Sequence, residues 1–350
     1  MSSGSRRGFG PDGSRAPESD IAGGAEATRA FGRPRADPPR ASDQEHAAVP
    51  SRGAAGDRLR IAGRRVSAVL AGVTVLAQIA YPLSTGESLR LLTIATVLLF
   101  AAASVVHAAS TRGIRAALVL LVVAGGIGLL AEAVGVRSGV PFGEYAYADS
   151  LGPKVLDVPV IVPLAWLMMA YPCLLLGRRL ARWRAQVGTA RRVRKPSTSR
   201  AAAKRRTAAQ ITGASRRRTG HPGMGPVAIL AGGLTLASWD LFLDPQMVAA
   251  GHWSWAHPTP ALPGVPGVPL TNYAGWVVVA LVLMAALHYT FPDVPRATED
   301  VPGAMLAWTW VGSTLGNALF FDRPLVAIWG GVLMGLLVVP YLLSWWDDRP

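Results

Sequence analysis

One cysteine, Cys173, is all that the 350 residues carry, so no disulfide can close within the chain. It lies inside a hydrophobic run and leaves the redox compartment unread. Charge is also scarce: Asp, Glu, Lys and Arg make up 16% of the residues, below what a soluble domain of this length carries. Acidic residues are the scarcer sign, 21 against 35 basic ones, and from Arg178 to Pro222 there are fifteen Arg and Lys and no acid at all. That single segment accounts for the net charge of +14, and no folded recognition motif accompanies it, which excludes nucleic acid as the expected partner. Several chemical signatures are missing as well. No Walker or dinucleotide loop is present. His252 and His257 flank a tryptophan pair without a third ligand at metal spacing, so no metal site is expected. Asp240-Leu-Phe-Leu-Asp244 lacks the doubled aspartates of a magnesium–diphosphate site, which counts against a prenyltransferase.

What the chain does have is hydrophobic residues, at 51%, in runs of the roughly 20 residues that cross a bilayer. The expected fold class is an all-α polytopic membrane protein. Eight spans are placed near 66–83, 89–109, 114–134, 158–177, 224–243, 269–290, 303–321 and 325–344. The domain reading is a disordered tail over 1–60, a first membrane half over 61–177, a basic loop over 178–222 and a second membrane half over 223–345. The tail is rich in Gly, Ser, Pro, Ala, Arg and Asp and shows no apolar period. No signal peptide is expected, because the first apolar run starts beyond Arg64-Arg65.

Arg58, Arg60, Arg64, Arg65, Arg112 and Arg115, together with the basic loop, fall on one side if the N-terminus is inside. The positive-inside rule then puts both termini in the cytoplasm of a multi-pass plasma-membrane protein. The 292–302 loop fits this poorly, since Asp293, Glu299 and Asp300 outweigh Arg296. The basic loop is read mainly as a topology signal, with attraction to anionic lipid as a second role. His107 and His288, near inner helix ends, are expected at the interface, and Gly312-x-x-x-Gly316 and Gly331-x-x-x-Gly335 read as helix-packing motifs.

Under this topology the polar loops 135–157 and 245–268 emerge on the same outer face and resemble each other. Glu132 closes a span, Tyr145 and Tyr147 follow, and Val158-Pro159 opens the next span with Trp166 seven residues past the proline. Asp240 closes a span in the second half, Trp253 and Trp255 follow, and Val268-Pro269 opens the next with Trp276 at the same offset. The step from acid to first aromatic is also equal. An ancient duplication of a four-helix unit is the expectation, with the two copies parallel about an axis along the membrane normal.

A carboxylate near hydrocarbon is costly and is a functional candidate by default. Asp240 shares a helix face with Gly233 and Ala237, and Glu132 shares one with Gly125 and Gly128, so both acids are expected to point into the bundle. Asp244 lies one turn beyond Asp240, although Pro245 is expected to end the helix there. A carboxyl removed from water beside another acid holds a proton more readily, as a general acid must. The alternative is a structural acid paired with Asn272 or a tyrosine hydroxyl. Each aromatic has a plain explanation as an interfacial anchor, yet their repeated pairing with acids suits the shielding of a carbocation. Asn272 and Trp276 are one turn apart and can face one cavity.

Gly143-Glu-Tyr-Ala-Tyr147, Val158-Pro159 with Pro163-Leu-Ala-Trp166, Trp239-Asp-Leu-Phe-Leu-Asp-Pro245 and Gly267-Val-Pro-Leu-Thr-Asn-Tyr-Ala-Gly-Trp276 together resemble the membrane carotenoid-biosynthesis family, which includes the bisanhydrobacterioruberin and γ-carotene hydratases. The resemblance covers about 65–345. It implies addition of water across the terminal 1,2 double bond of an acyclic carotenoid, giving a tertiary alcohol without a redox cofactor. Asp240 or Glu132 would then be the acid, with Asp244 or Asp157 placing the water. Tyr145, Tyr147, Trp166, Trp253, Trp255 and Trp276 would line the substrate, and Asn272 would orient an acid or the water. The implied partners are a lipophilic carotenoid, membrane lipid and a lycopene elongase. The site would open sideways to lipid, since a polyene leaves a bilayer only at high cost. A carotenoid or lipid carrier without catalysis would use the same aromatic cavity, and a small-solute transporter is a more distant alternative.

Overall fold

The computed structural model describes residues 52–194, 224–294 and 297–346. Eight helices account for most of it: α1 Arg52–Ala80, α2 Gly86–Arg112, α3 Ile114–Ser138, α4 Ile161–Arg194, α5 Met224–Ala249, α6 Leu270–Thr290, α7 Asp300–Leu319 and α8 Pro324–Trp346. Among the described residues, seven are long and apolar enough to cross a membrane, and α7 is the exception. The expected span at 303–321 is thus a helix of lower hydropathy. Its polar side chains are spent on neighbours: Trp308 Nε1 donates to Gln78 Oε1 at 2.7 Å, and Trp310 Nε1 to Gly331 O at 2.8 Å.

Two other boundaries move. Helix α1 begins at Arg52, well before the first apolar run, so the expected tail contributes a helical segment from there; residues 1–51 lie outside the described residues. Helix α4 runs past the bilayer-length stretch to Arg194, so the first part of the basic loop is helical, while 195–223 lie outside the description. Arg, Ala, Leu and Gln are good helix formers, and no proline interrupts 178–194, so the helix carries Gly188 without breaking. Helix α3 contains a wider π turn at Leu120–Gly125.

The core is the α4–α5 pair. In α4, 83% of the apolar window is buried, against 11% in α1 at the periphery. The two helices cross at Gly177 and Gly232, where an added Cβ would meet Ala228 O at 2.1 Å and Cys173 O at 2.9 Å. Only glycine permits this approach, a common device where helices must associate inside lipid. Helices α2, α3, α6, α7 and α8 surround the pair, and α1 packs on α2 and reaches α7.

Charges gather at the end of the bundle opposite the long loops. Glu299, which fits the inner-face assignment poorly by sequence, is met by Arg182 at 3.1 Å and by Arg112 and Arg179 at 3.8 Å each. Arg178 caps the end of α6, donating to His288 O and Phe291 O at 2.8 Å each. His107 does not sit at an interface: it is buried, with Nδ1 2.8 Å from the Tyr171 hydroxyl.

At the other end the two polar loops meet. Strand β1 (Tyr145–Tyr147) pairs antiparallel with β4 (Trp253–Trp255), and a hairpin of β2 (Lys154–Val155) and β3 (Val158–Pro159) leads into α4. The strand pair ties one half of the chain to the other directly over the bundle.

Candidate active site

Helix α5 does not stop at Pro245 but continues to Ala249. A proline inside a helix removes one hydrogen bond, a loss that packed membrane helices absorb, and α4 and α8 likewise carry Pro172 and Pro340. The continuation decides the site's geometry, because it leaves Asp240 and Asp244 one turn apart on the same face. Both carboxyls are buried and turn toward α6, where Asn272 donates from Nδ2 to Asp240 Oδ2 at 2.9 Å and to Asp244 Oδ2. Trp253 Nε1 reaches Asp244 Oδ1 at 3.0 Å. Asp240 Oδ1 is buried without a donor, and the Asp240 and Asp244 side chains interact directly. Asp244 thus holds two donors from the protein, whereas Asp240 keeps one oxygen uncommitted.

Glu132 of α3 is the third buried acid, and all its donors come from the protein too. Tyr145 and Tyr147 hydroxyls reach Oε2 at 2.5 and 2.7 Å, and Trp166 Nε1 reaches Oε1 at 2.8 Å. Alternation along β1 turns both phenols to one face. Burial first, and then the Glu132 charge, raise both phenol pKa values, so each keeps its proton and acts as a donor. Two glycines of α3 make room for these contacts. A Cβ at Gly128 would lie 2.8 Å from Trp166 Cβ, and one at Gly135 would lie 2.9 Å from the Tyr145 hydroxyl. Gly125, expected on the same packing face, meets nothing within 4 Å.

The aromatic residues interlock across the two halves. Trp166 and Trp276 stack with ring centroids 3.9 Å apart and planes at 12°. Tyr145 faces Trp255 at 5.7 Å and Tyr147 meets Trp253 edge-on at 5.6 Å. Trp255 is fixed by its Nε1, which donates to Phe142 O at 2.9 Å. Between these groups lies a chamber of about 50 Å³, ample for a water molecule. Glu132, Asp244, Asn272, Tyr145, Tyr147, Trp166, Trp253, Trp255 and Trp276 all line it. Asp240 stands directly behind, completely buried and bonded to Asn272.

Asp157 is not part of this constellation. With Leu156 it forms the tip of the β2–β3 hairpin, both residues at positive φ (70° and 53°), and its exposed carboxylate pairs with Arg137 at 3.0 Å. Hairpin turns of this hand require positive φ at both central positions and project outward. The histidines diverge. His252 is buried with Nδ1 2.8 Å from Ser150 Oγ, and burial, then Arg90, lowers its pKa and keeps the ring neutral. His257 is exposed beside Glu144.

Sequence reasoning did not single out Trp239 or Phe142 as site residues, yet both contact the Trp276 ring, at 6.0 and 6.5 Å between centroids. Nor did it anticipate the β1–β4 pairing, although the aromatic-x-aromatic alternation of Tyr145-Ala-Tyr147 and Trp253-Ser-Trp255 was a strand signal.

Residues 92–342 match the family described as carotenoid biosynthesis protein. The chain is 30% identical over 233 residues to a bisanhydrobacterioruberin hydratase of Haloarcula japonica, an alignment spanning 62% of this chain and 59% of that protein. The chain thus spans about three fifths of the length of that curated relative. No solved structure matches.

Proposed function

The chain belongs to the carotenoid biosynthesis protein family, and from that membership and the site geometry we propose that it hydrates the terminal 1,2 double bond of an acyclic carotenoid. The observation that carries this reading is the placement of two hydrogen-bonded acid clusters and a tryptophan stack around one chamber of about 50 Å³. The chemistry needs a proton for C2, a shielded tertiary cation at C1 and one water. Asp240 is the acid, since its free Oδ1 is the one carboxyl oxygen of the Asp240–Asp244 pair that no protein donor occupies. Its proton reaches C2 through Asp244, which lines the chamber, and the cation at C1 lies against an aromatic face of the chamber wall, where a cation gains about 2 kcal/mol or more once water is excluded. The water oxygen then bonds to C1 and its proton goes to Asp244. Transfer from Asp244 back to Asp240 through their direct contact restores the starting state, and the net change is the addition of one water.

The same reading puts the loops 135–157 and 245–268 outside and both termini in the cytoplasm, which leaves the Arg112, Arg178, Arg179 and Arg182 end on the inner side. It also treats the α3–β1–α4 and α5–β4–α6 segments, rather than whole four-helix halves, as copies. Residues matched by spacing support this: Trp166 stacks on Trp276, and the β1–β4 register pairs Tyr145 with Trp255 and Tyr147 with Trp253. A two-fold axis requires such a crossed pattern, in which each residue meets the copy of its partner.

The test is pigment analysis by chromatography with mass detection, in cells that accumulate an acyclic carotenoid and express the full chain. The expected product is heavier by one water and is lost with Asp240→Asn. Unchanged pigment across several acyclic substrates, with the protein present in the membrane, overturns the reading.

A further inference from the structure

A second, larger cavity of about 440 Å³ lies beside the acid chamber, bounded by α1, α2, α4, α5 and α7. Thr93, Val97, Leu243 and Met247 border both spaces and stand between them. Most of the wall is apolar, with Phe100, Met168 and Phe242 at its depth. Its rim is different: Ile79, Leu83, Leu315 and Phe320 are among the exposed large hydrophobic residues, on the last turns of α1 and α7 and the segments that follow them. In a bilayer these groups face hydrocarbon, so the cavity opens sideways between α1 and α7.

Gly312 and Gly316 line this wall, and they are not the helix-packing motif that their spacing implies. A Cβ at Gly312 would find as its nearest neighbour Trp308 of its own helix, at 3.3 Å, and one at Gly316 would find Phe321 at 3.2 Å. The companion pair behaves as such motifs do: a Cβ at Gly331 or Gly335 of α8 would meet Thr314 or Trp310 of α7, at 3.1 and 2.9 Å. One glycine pair therefore joins α7 to α8, and the other has Trp308 and Phe321 as its nearest neighbours, not the side chains of a facing helix. Two polar atoms at the cavity wall are also buried without partners, Thr96 Oγ1 and Asn317 Oδ1.

Resting on the hydratase reading, we propose that this cavity holds the polyene arm of the substrate, which slides in from the bilayer between α1 and α7 and delivers its end group past Thr93 and Leu243 to the acids. Trp308 to Gly316 spans about 12 Å at ~1.5 Å per residue, so the smooth wall is long and narrow, as a rod-shaped chain needs. At roughly 30 Å³ per small group the cavity takes about fifteen carbons. That is a terminal portion of a long polyene, and the remainder projects into lipid.

The test compares full-length protein purified in mild detergent from pigment-accumulating cells. Wild type and Asp240→Asn are expected to co-purify the same amount of polyene, read by visible absorbance per mole of protein. Gly312→Leu and Gly316→Leu fill the groove, and each is expected to lower bound pigment and hydrated product at least tenfold. Leucine is the better helix former, so α7 itself is not weakened. Val282→Leu, on the exposed face of α6 away from the cavity, is expected to keep both. Retention of pigment and product by both glycine variants overturns the cavity assignment and leaves the hydratase reading intact. Pigment that binds wild type and is lost from the glycine variants, with no hydrated product from any chain, supports the cavity and overturns the hydratase. If neither glycine variant accumulates in the membrane, Phe320→Cys at the rim serves instead. Its thiol is expected to be protected from a maleimide by bound polyene, and equal labelling with and without polyene overturns the proposal.

Discussion

The Glu132 carboxylate accepts three hydrogen bonds from three side chains on two elements, β1 and α4, and the donors are not equivalent. Trp166 holds Oε1 alone, while Tyr145 and Tyr147 share Oε2. Replacing Tyr147 with Phe leaves Oε2 with one donor and keeps the ring against Trp253. A hydrogen bond to a charged group is worth about 1.5–3 kcal/mol. Tyr147→Phe is therefore expected to slow conversion by about tenfold to a hundredfold, measured as product per mole of protein in membranes. Asp240→Asn removes the proton itself and falls in the larger class, ~10²–10⁴-fold, as loss of a general acid does. If Tyr147→Phe costs as much as Asp240→Asn, Glu132 is the proton donor and the roles of the two clusters are exchanged.

At the scale of the elements, the strand pair is the joint on which the site depends. Ser254 is the middle residue of β4, opposite Ala146. Proline there cannot donate to the ladder and is expected to part β1 from β4. Since β1 carries both phenols of Glu132 and β4 carries the Trp253 donor of Asp244, Ser254→Pro should abolish conversion while the helical circular dichroism stays unchanged. Wild-type conversion would mean that the strands merely cover the site. This joint also marks the limit of what the sequence discloses. The helices were legible because bilayer crossing imposes a length and an apolar composition, and the acids because charge in such segments stands out. Gly128 and Trp166 belong to the harder class: each is visible alone, but their close approach, which leaves no room for a Cβ at Gly128, depends on how α3 crosses α4. Asp157 was misplaced for a related reason, since the hairpin that turns it outward rests on two positive-φ residues that no glycine announces. Helix α5 ran through Pro245 because tertiary packing outweighed a local preference.

The whole molecule raises the question of whether it has one site or two. Each half supplies an acid, an aromatic strand and a tryptophan seven residues past a proline, yet the chemistry around the two acids differs. Glu132 is saturated by hydroxyl and indole donors, whereas Asp240 and Asp244 share Asn272, for which the first half has no matching amide at Val162. On the proposed hydratase reading, a duplication followed by division of labour would account for this, with the second half keeping the proton and the first half shaping the cation's surroundings. Residues that act as one unit show strongly non-additive losses. In a single shared site, Glu132→Gln and Asp240→Asn should each suppress conversion, and the double variant should be no worse than the more severe single one. Two independent sites would instead leave each single variant with about half of the wild-type conversion and only the double variant inactive. Product per mole of protein, measured for all four chains in the same membranes, separates the cases, and the Trp166–Trp276 stack at 3.9 Å favours the shared site because neither half can present its tryptophan without the other.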